Sequence, residues 1–122
     1  MFILGTLNIE QLIDFAQTGV ICEFDLFGTE ISYYEAADNF DMPNDSARIC
    51  LVKKLIDENY GDHITISHDI HTKHRLMKWS GHGYSHIILN VIPKMLRRGI
   101  TIEQIDQIMI KTPCRWLTIG QI

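Results

Sequence analysis

The sequence predicts an α/β domain built on a parallel sheet, and three observations lead there. Two short apolar runs rich in β-branched residues, 20–24 and 63–67, read as buried strands. Helical patterns alternate with them, which is the pattern of parallel α/β folds. Each run breaks off at an aspartate, Asp25 and Asp69. The carboxyl ends of parallel strands are where such folds place their chemistry.

The 122 residues make one domain at most, and 46% apolar with 21% charged residues indicates a globular one. A net charge of −4 argues against a nucleic-acid surface. No apolar run approaches the roughly 20 residues of a membrane span. The opening Met1-Phe2-Ile3-Leu4 lacks the basic flank of a signal peptide, so a cytoplasmic protein is expected. Cys22, Cys50 and Cys114 are odd in number and form no CxxC pair. They are therefore not read as disulfides or zinc ligands, and Cys22 in its strand and Cys50 in its helix are read as small buried hydrophobes.

Taken in order, Asn8-Ile9-Glu10-Gln11 is a capping box opening a helix over 9–18, with Gly19 just beyond its end. The first strand follows at once. Residues 26–42 have no clean period and read as a long connection holding Gly28 and the pair Tyr33-Tyr34. Asp41-Met42-Pro43 reads as the start of a second helix with Pro43 near its first position. Ile49, Val52 and Ile56 form its apolar stripe, and residues 59–62 end it before the second strand. Residues 70–83 are a second long loop. The pattern of Ile87, Ile88, Val91, Met95 and Leu96 predicts a helix over 84–98, kinked or short of one hydrogen bond at Pro93. A second capping box at Thr101-Ile102-Glu103-Gln104 opens a helix to about Ile110, which Thr112-Pro113 should stop. Trp116-Leu117-Thr118-Ile119 is an apolar tail expected to pack on a neighbour.

Chemistry is sought first at Asp69. A carboxylate there suits cation ligation or general base work, with a loop-anchoring carboxylate as the plainer alternative. His68 is its neighbour on a strand and faces the other way, so it reads as a hydrogen-bonded histidine. All six histidines lie between His63 and His86. His71 and His74 are three apart. His82 and His86 are four apart and share a face only if their helix begins before His82, against which Gly81 and Gly83 argue. Contact with substrate or solvent is the commoner role for such loop histidines. Lys73, Arg75 and Lys78 make the same loop basic, either to orient an anionic substrate or simply as a solvated surface. Asp25 and Glu23 form either a carboxylate pair or a loop cap beside a buried glutamate. Trp79 and the two tyrosines are candidates for a pocket wall. No phosphate-cradling glycine loop and no GxSxG elbow is present.

Several stretches are together recognisable. The run from Gly19 to Glu30 (GVICEFDLFGTE) resembles the seventh strand and following loop of the phosphotriesterase-related proteins of the amidohydrolase superfamily. Ser67-His68-Asp69-Ile70-His71-Thr72-Lys73 resembles their eighth strand end. Gly81-His82-Gly83-Tyr84-Ser85-His86-Ile87 and Val91-Ile92-Pro93-Lys94-Met95-Leu96 resemble the loop and helix after it, and Lys111-Thr112-Pro113 with Trp116-Leu117-Thr118 the closing segment. The resemblance implies the C-terminal portion of a TIM (β/α)8 barrel across residues 1–122: the last two strand–helix units plus flanking helices, incomplete as a barrel. It implies a hydrolase of ester, lactone, phosphotriester or amide bonds that uses a metal-activated hydroxide at a binuclear centre, usually zinc, with another divalent metal as a variant. It makes Asp69 a metal ligand and proton shuttle, and has the loop from Ile70 to Tyr84, with His71, His74, Trp79, His82 and Tyr84, help shape the substrate pocket, to which Asp25 is added as a candidate from its place at the first strand end. The family's first-strand HxH pair, fourth-strand carboxylate and later histidines have no counterpart here. Phe2 to Leu7, where a sixth-strand histidine belongs, contains none. The alternative is a catalytically inactive truncated fragment or a non-enzymatic interaction module. A small-molecule substrate is expected, with no nucleic acid and no membrane partner, and exposed strand edges favour a homo-oligomer.

Overall fold

A computed structural model of the chain describes residues 8–31 and 41–118. Tyr33, Tyr34 and the stretch Phe2 to Leu7 lie outside the described residues.

Helix α1 (Ile9–Gln17) opens on the expected capping box: Asn8 accepts from the Gln11 backbone and the Gln11 side chain accepts from the Asn8 backbone. Strand β1 (Cys22–Phe24) follows, then helix α2 (Asp45–Asp57) and strand β2 (Ile64–Ile66). The two strands pair in parallel, with Cys22 opposite Ile64 and Phe24 opposite Ile66. Parallel pairing requires a crossover, and α2 provides it. A wide π turn over Ile87–Val91 leads into α3 (Ile92–Arg97). A second capping box at Thr101 opens α4 (Ile102–Asp106), and another π turn, Gln107–Lys111, leads into α5 (Thr112–Leu117).

The core lies between the helices and one face of the strands. Leu12 and Ala16 of α1 meet Ile49, Val52 and Leu55 of α2, together with Cys22, Phe24, Ile64, Val91, Met95 and Ile108. Two parallel strands do not close a barrel. This is the expected architecture: strand–helix units with flanking helices, incomplete as a barrel.

Four expectations need correction. Helix α2 starts at Asp45, not at Pro43. Asn44 is its cap, accepting from the Ala47 backbone, and that later start lets Asp45 turn inward. Thr112-Pro113 does not stop the last helix. Proline lacks an N–H and its ring crowds the carbonyl four residues back. The π turn before it shifts the hydrogen bonding, with Thr112 donating to Gln107 five residues back, and the chain continues helical to Leu117. Pro93 uses the same device, with Ile92 donating to Ile87. Trp116 and Leu117 do not pack back. They sit on α5 at 51% and 70% exposure, because the buried side of that helix is taken by Thr112. Of the cysteines only Cys22 is buried, while Cys50 and Cys114 are exposed on helix faces away from the core.

Because Ile64 is fully buried where the strands meet the helices, Ile64→Ala should lower stability by about 2–5 kcal/mol in urea unfolding. Val20→Ala, at a partly exposed position before β1, should stay within about 0.5 kcal/mol.

Candidate functional site at the strand ends

Beyond β1 and β2 the backbone departs from regular pairing. Ser67 donates to the Phe24 carbonyl, continuing the ladder. In an unbroken parallel ladder Ser67 would next accept from Leu26. It accepts from Phe27 instead, at 3.1 Å, because Leu26 is left-handed at φ 63°. One extra residue is thus inserted after Asp25, a bulge of the kind found beside functional sites. Leucine rarely adopts positive φ, so this is local strain. Asp69 is also left-handed, at φ 50°, a conformation that aspartate tolerates better.

Asp25 and Asp69 end up as unlike carboxylates. Asp25 is buried, and its Oδ2 meets no hydrogen-bond partner among the described residues. Burial raises its pKa above the ordinary 3.8, the charges of Asp69 and Glu23 raise it further, and Arg48 opposes them. Asp69 is 36% exposed, with Oδ2 3.6 Å from Nδ1 of His71. Its carbonyl accepts from Arg75 Nη1 at 2.7 Å and faces His71 Nδ1 at 2.9 Å. Glu23 accepts from the Ser67 hydroxyl at 3.2 Å.

A second cluster backs this end of the sheet. Asp45 is fully buried. Its Oδ1 accepts from the Gly28 backbone at 2.8 Å and from Arg48 Nη1 at 3.1 Å, and its Oδ2 meets His86 Nε2 at 2.7 Å. The loop after β1, the start of α2 and the helix start after residue 85 are therefore tied at one carboxylate. Gly28, at φ 94°, packs on the His82 ring so closely that a Cβ would come within 2.4 Å of it. Burial, then the nearby charges of His86, His68 and Arg75, push His82 below its usual range. Its buried Nε2 has no partner among the described residues.

The histidine cluster is accordingly dispersed in its roles. His68 meets the Tyr84 carbonyl at 2.9 Å; it lies past the end of β2 at Ile66, so strand alternation does not govern where it faces. His82 and His86 are not on one helix face, because the helix begins at His86. Their rings still meet edge to face at 5.4 Å. His71 lies beside Asp69, whereas His74 is exposed in the turn Lys73–Arg75. Tyr84 is 65% exposed and Trp79 53% exposed, with Lys73 and Lys78 over its ring. Asp25, Asp69, His71 and Arg75 are the groups that come together. Burial raises the Cys22 thiol to about 11, so it is an inert core residue. Asp45, Arg48 and His86 carry the supporting network without having been singled out as site residues. Their signal was that Asp45 and Arg48 continue the stripe of Ile49, Val52 and Ile56.

Among the described residues no group of three or more His, Cys, Asp or Glu side chains is placed to hold a metal ion. These residues do not by themselves fit a binuclear centre. No described helix is long and apolar enough to cross a membrane.

The sequence model of the phosphotriesterase family matches residues 3–117. The chain belongs to that family. It is 56% identical over 108 residues to the N-acetyltaurine hydrolase of Danio rerio, covering 88% of this chain and 31% of that one. A phosphotriesterase-related protein of Nematostella vectensis is 54% identical over 111 residues, covering 91% of this chain and 32% of its own length. Among solved structures, the resiniferatoxin-binding protein of Rhodobacter sphaeroides superposes with a TM-score of 0.82 at 27% identity, over 88% of this chain and 30% of that one. The chain thus spans about a third of the length of the phosphotriesterase-family relatives it matches.

Two outcomes follow from this geometry. A carboxyl whose folded pKa is raised contributes fully below its unfolded value and loses that contribution as pH rises through the folded one. The stability advantage of Asp25→Asn over the parent should therefore grow as pH rises above 3.8, tracked by urea unfolding across pH. Asp45→Ala strips the buried Arg48 of its carboxylate, and should cost about 3–5 kcal/mol in the same measurement.

Proposed function

We propose that this chain forms the closing strand ends of a hydrolase that cleaves the amide bond of small N-acylated, anionic molecules. The observation that carries the reading is Asp69. It is a partly exposed carboxylate just past the end of a parallel strand, in a left-handed turn and beside a buried second carboxylate. Strand ends of this kind hold the reacting groups in barrel enzymes. The identity to N-acetyltaurine hydrolases supports the amide substrate, over the esters, lactones and phosphotriesters that the family resemblance also allows.

On this reading Asp69 holds and releases the proton that the cleaved amine needs, and His71 orients it. Asp25 lies behind it as a buried carboxyl whose pKa is raised by burial and by the charges of Asp69 and Glu23. Zinc, where bound, would take Asp69 as one ligand and the remainder from residues other than the described ones.

The test is a chimera in which residues 8–118 replace the matching segment of the Danio rerio N-acetyltaurine hydrolase. The chimera should release taurine from N-acetyltaurine, and Asp69→Asn should lower kcat by about 100-fold or more. A folded chimera that hydrolyses no N-acetyltaurine, or one indifferent to Asp69→Asn, would overturn the reading.

A further inference from the structure

The strand ends carry Glu23, Asp25 and Asp69, whose charges already act against one another at Asp25. An anionic substrate drawn to Asp69 meets the same repulsion, so recognition requires a cation close to Asp69 that is free to face the ligand. Arg48 is unsuited: it is 3% exposed and committed to Asp45 and the Thr29 carbonyl. Lys73 and Lys78 lie over Trp79, at 5.3 and 5.8 Å from the ring centre. Arg75 is left. It is half-buried, and one arm of its guanidinium is fixed on the carbonyl of Asp69 itself.

The loop holds this arginine in place before any ligand arrives. The Arg75 amide donates to the Thr72 carbonyl, and its own carbonyl accepts from Gly83 at 2.8 Å. Gly81 packs against the same peptide so tightly that a Cβ would lie 2.1 Å from the Arg75 carbonyl carbon. A guanidinium offers five donors in a planar fork. With Nη1 on the Asp69 carbonyl and 3.3 Å from His71 Nδ1, the Nε and Nη2 donors suit the oxygens of a sulfonate or similar oxyanion.

We propose that Arg75 is a specificity-determining residue that binds the sulfonate, or an equivalent small oxyanion, of the substrate while the amide lies at Asp69. This rests on the amide-hydrolase reading above, but its anion site is measurable without turnover. In the full chain carrying labelled arginine, N-acetyltaurine should shift the Arg75 Nε–H NMR signal saturably, and the neutral analogue N-ethylacetamide should not. Arg75→Gln removes that signal and so assigns it, and should abolish N-acetyltaurine binding in isothermal titration calorimetry. Arg75→Lys keeps the charge and one donor for the Asp69 carbonyl, and should bind about tenfold more weakly. A signal unmoved by N-acetyltaurine, or moved equally by the neutral amide, overturns the proposal. In the chimera, Arg75→Gln should raise KM for N-acetyltaurine about tenfold or more beyond any change in KM for N-ethylacetamide. Equal losses on both substrates would make Arg75 a structural residue and sink the proposal. A chimera that hydrolyses neither, with the NMR response intact, defeats the hydrolase reading and upholds the anion site.

Discussion

The strand ends depend on one buried carboxylate. Asp45 accepts hydrogen bonds from the loop after β1, from its own helix and from the helix start after β2. A buried charge is costly unless it is paired and fully hydrogen-bonded. Both Asp45 oxygens are engaged, so the arrangement satisfies that condition. The Asn90 amide nitrogen lies 3.2 Å from His86 Nδ1. That makes Nδ1 an acceptor and leaves Nε2–H to donate to Asp45. The position of the Gly28 turn then follows, and with it the packing of Gly28 on His82. A cluster at the first strand's loop thus fixes where the second strand's loop can lie, and that second loop carries His71 and Arg75 next to Asp69.

The helical half of the molecule repeats a single solution to proline. In both late helices a five-residue π turn ends two residues before a proline, at Pro93 and at Pro113. Widening the turn lets the preceding residue bond five back, so the missing proline donor falls where the ladder is already interrupted. Each helix then continues through its proline. In the second, Thr112 is fully buried, and its hydroxyl lies 3.1 Å from both the Asp62 carbonyl and the Gln107 side-chain amide. The chain entering β2 is thereby tied to the last helix.

What could be read in the sequence follows from how local each signal is. The capping boxes at Asn8 and Thr101 need only residues three apart, and both form as read. The strands and the apolar stripe of α2 were visible from period alone. Where α2 begins was not. Pro43 and Asn44 are adjacent starting signals, and the choice turns on Asp45 pairing with His86, 41 positions away. The π turns were invisible for a similar reason, since a helix pattern with a proline reads as a kink or a stop. At the strand ends, Asp25 and Asp69 stood out because a carboxylate closing an apolar run is a local event. Asp45 and Arg48 looked like an ordinary charged pair one helical turn apart. Only their place on the apolar stripe marked them as buried.

The period of two in the strands explains which way the chemistry opens. Cys22, Phe24, Ile64 and Ile66 point to the helices and the core. Alternation then places Glu23 and Asp25 on the other face of β1, and Thr65, Ser67 and Asp69 on the other face of β2. The hydrogen bond from Ser67 to Glu23 shows that these rows meet across the pair. One face is therefore apolar and covered, while the other is a ladder of hydroxyls and carboxylates rising to the strand ends. Regular alternation would carry both aspartates outward in the same way. The bulge at Leu26 and the left-handed turn at Asp69 break that symmetry: one aspartate is buried and resists ionisation, the other is exposed beside a histidine and an arginine. The exposed carboxylate, Asp69, can then meet a ligand directly, while Asp25 stays buried behind it.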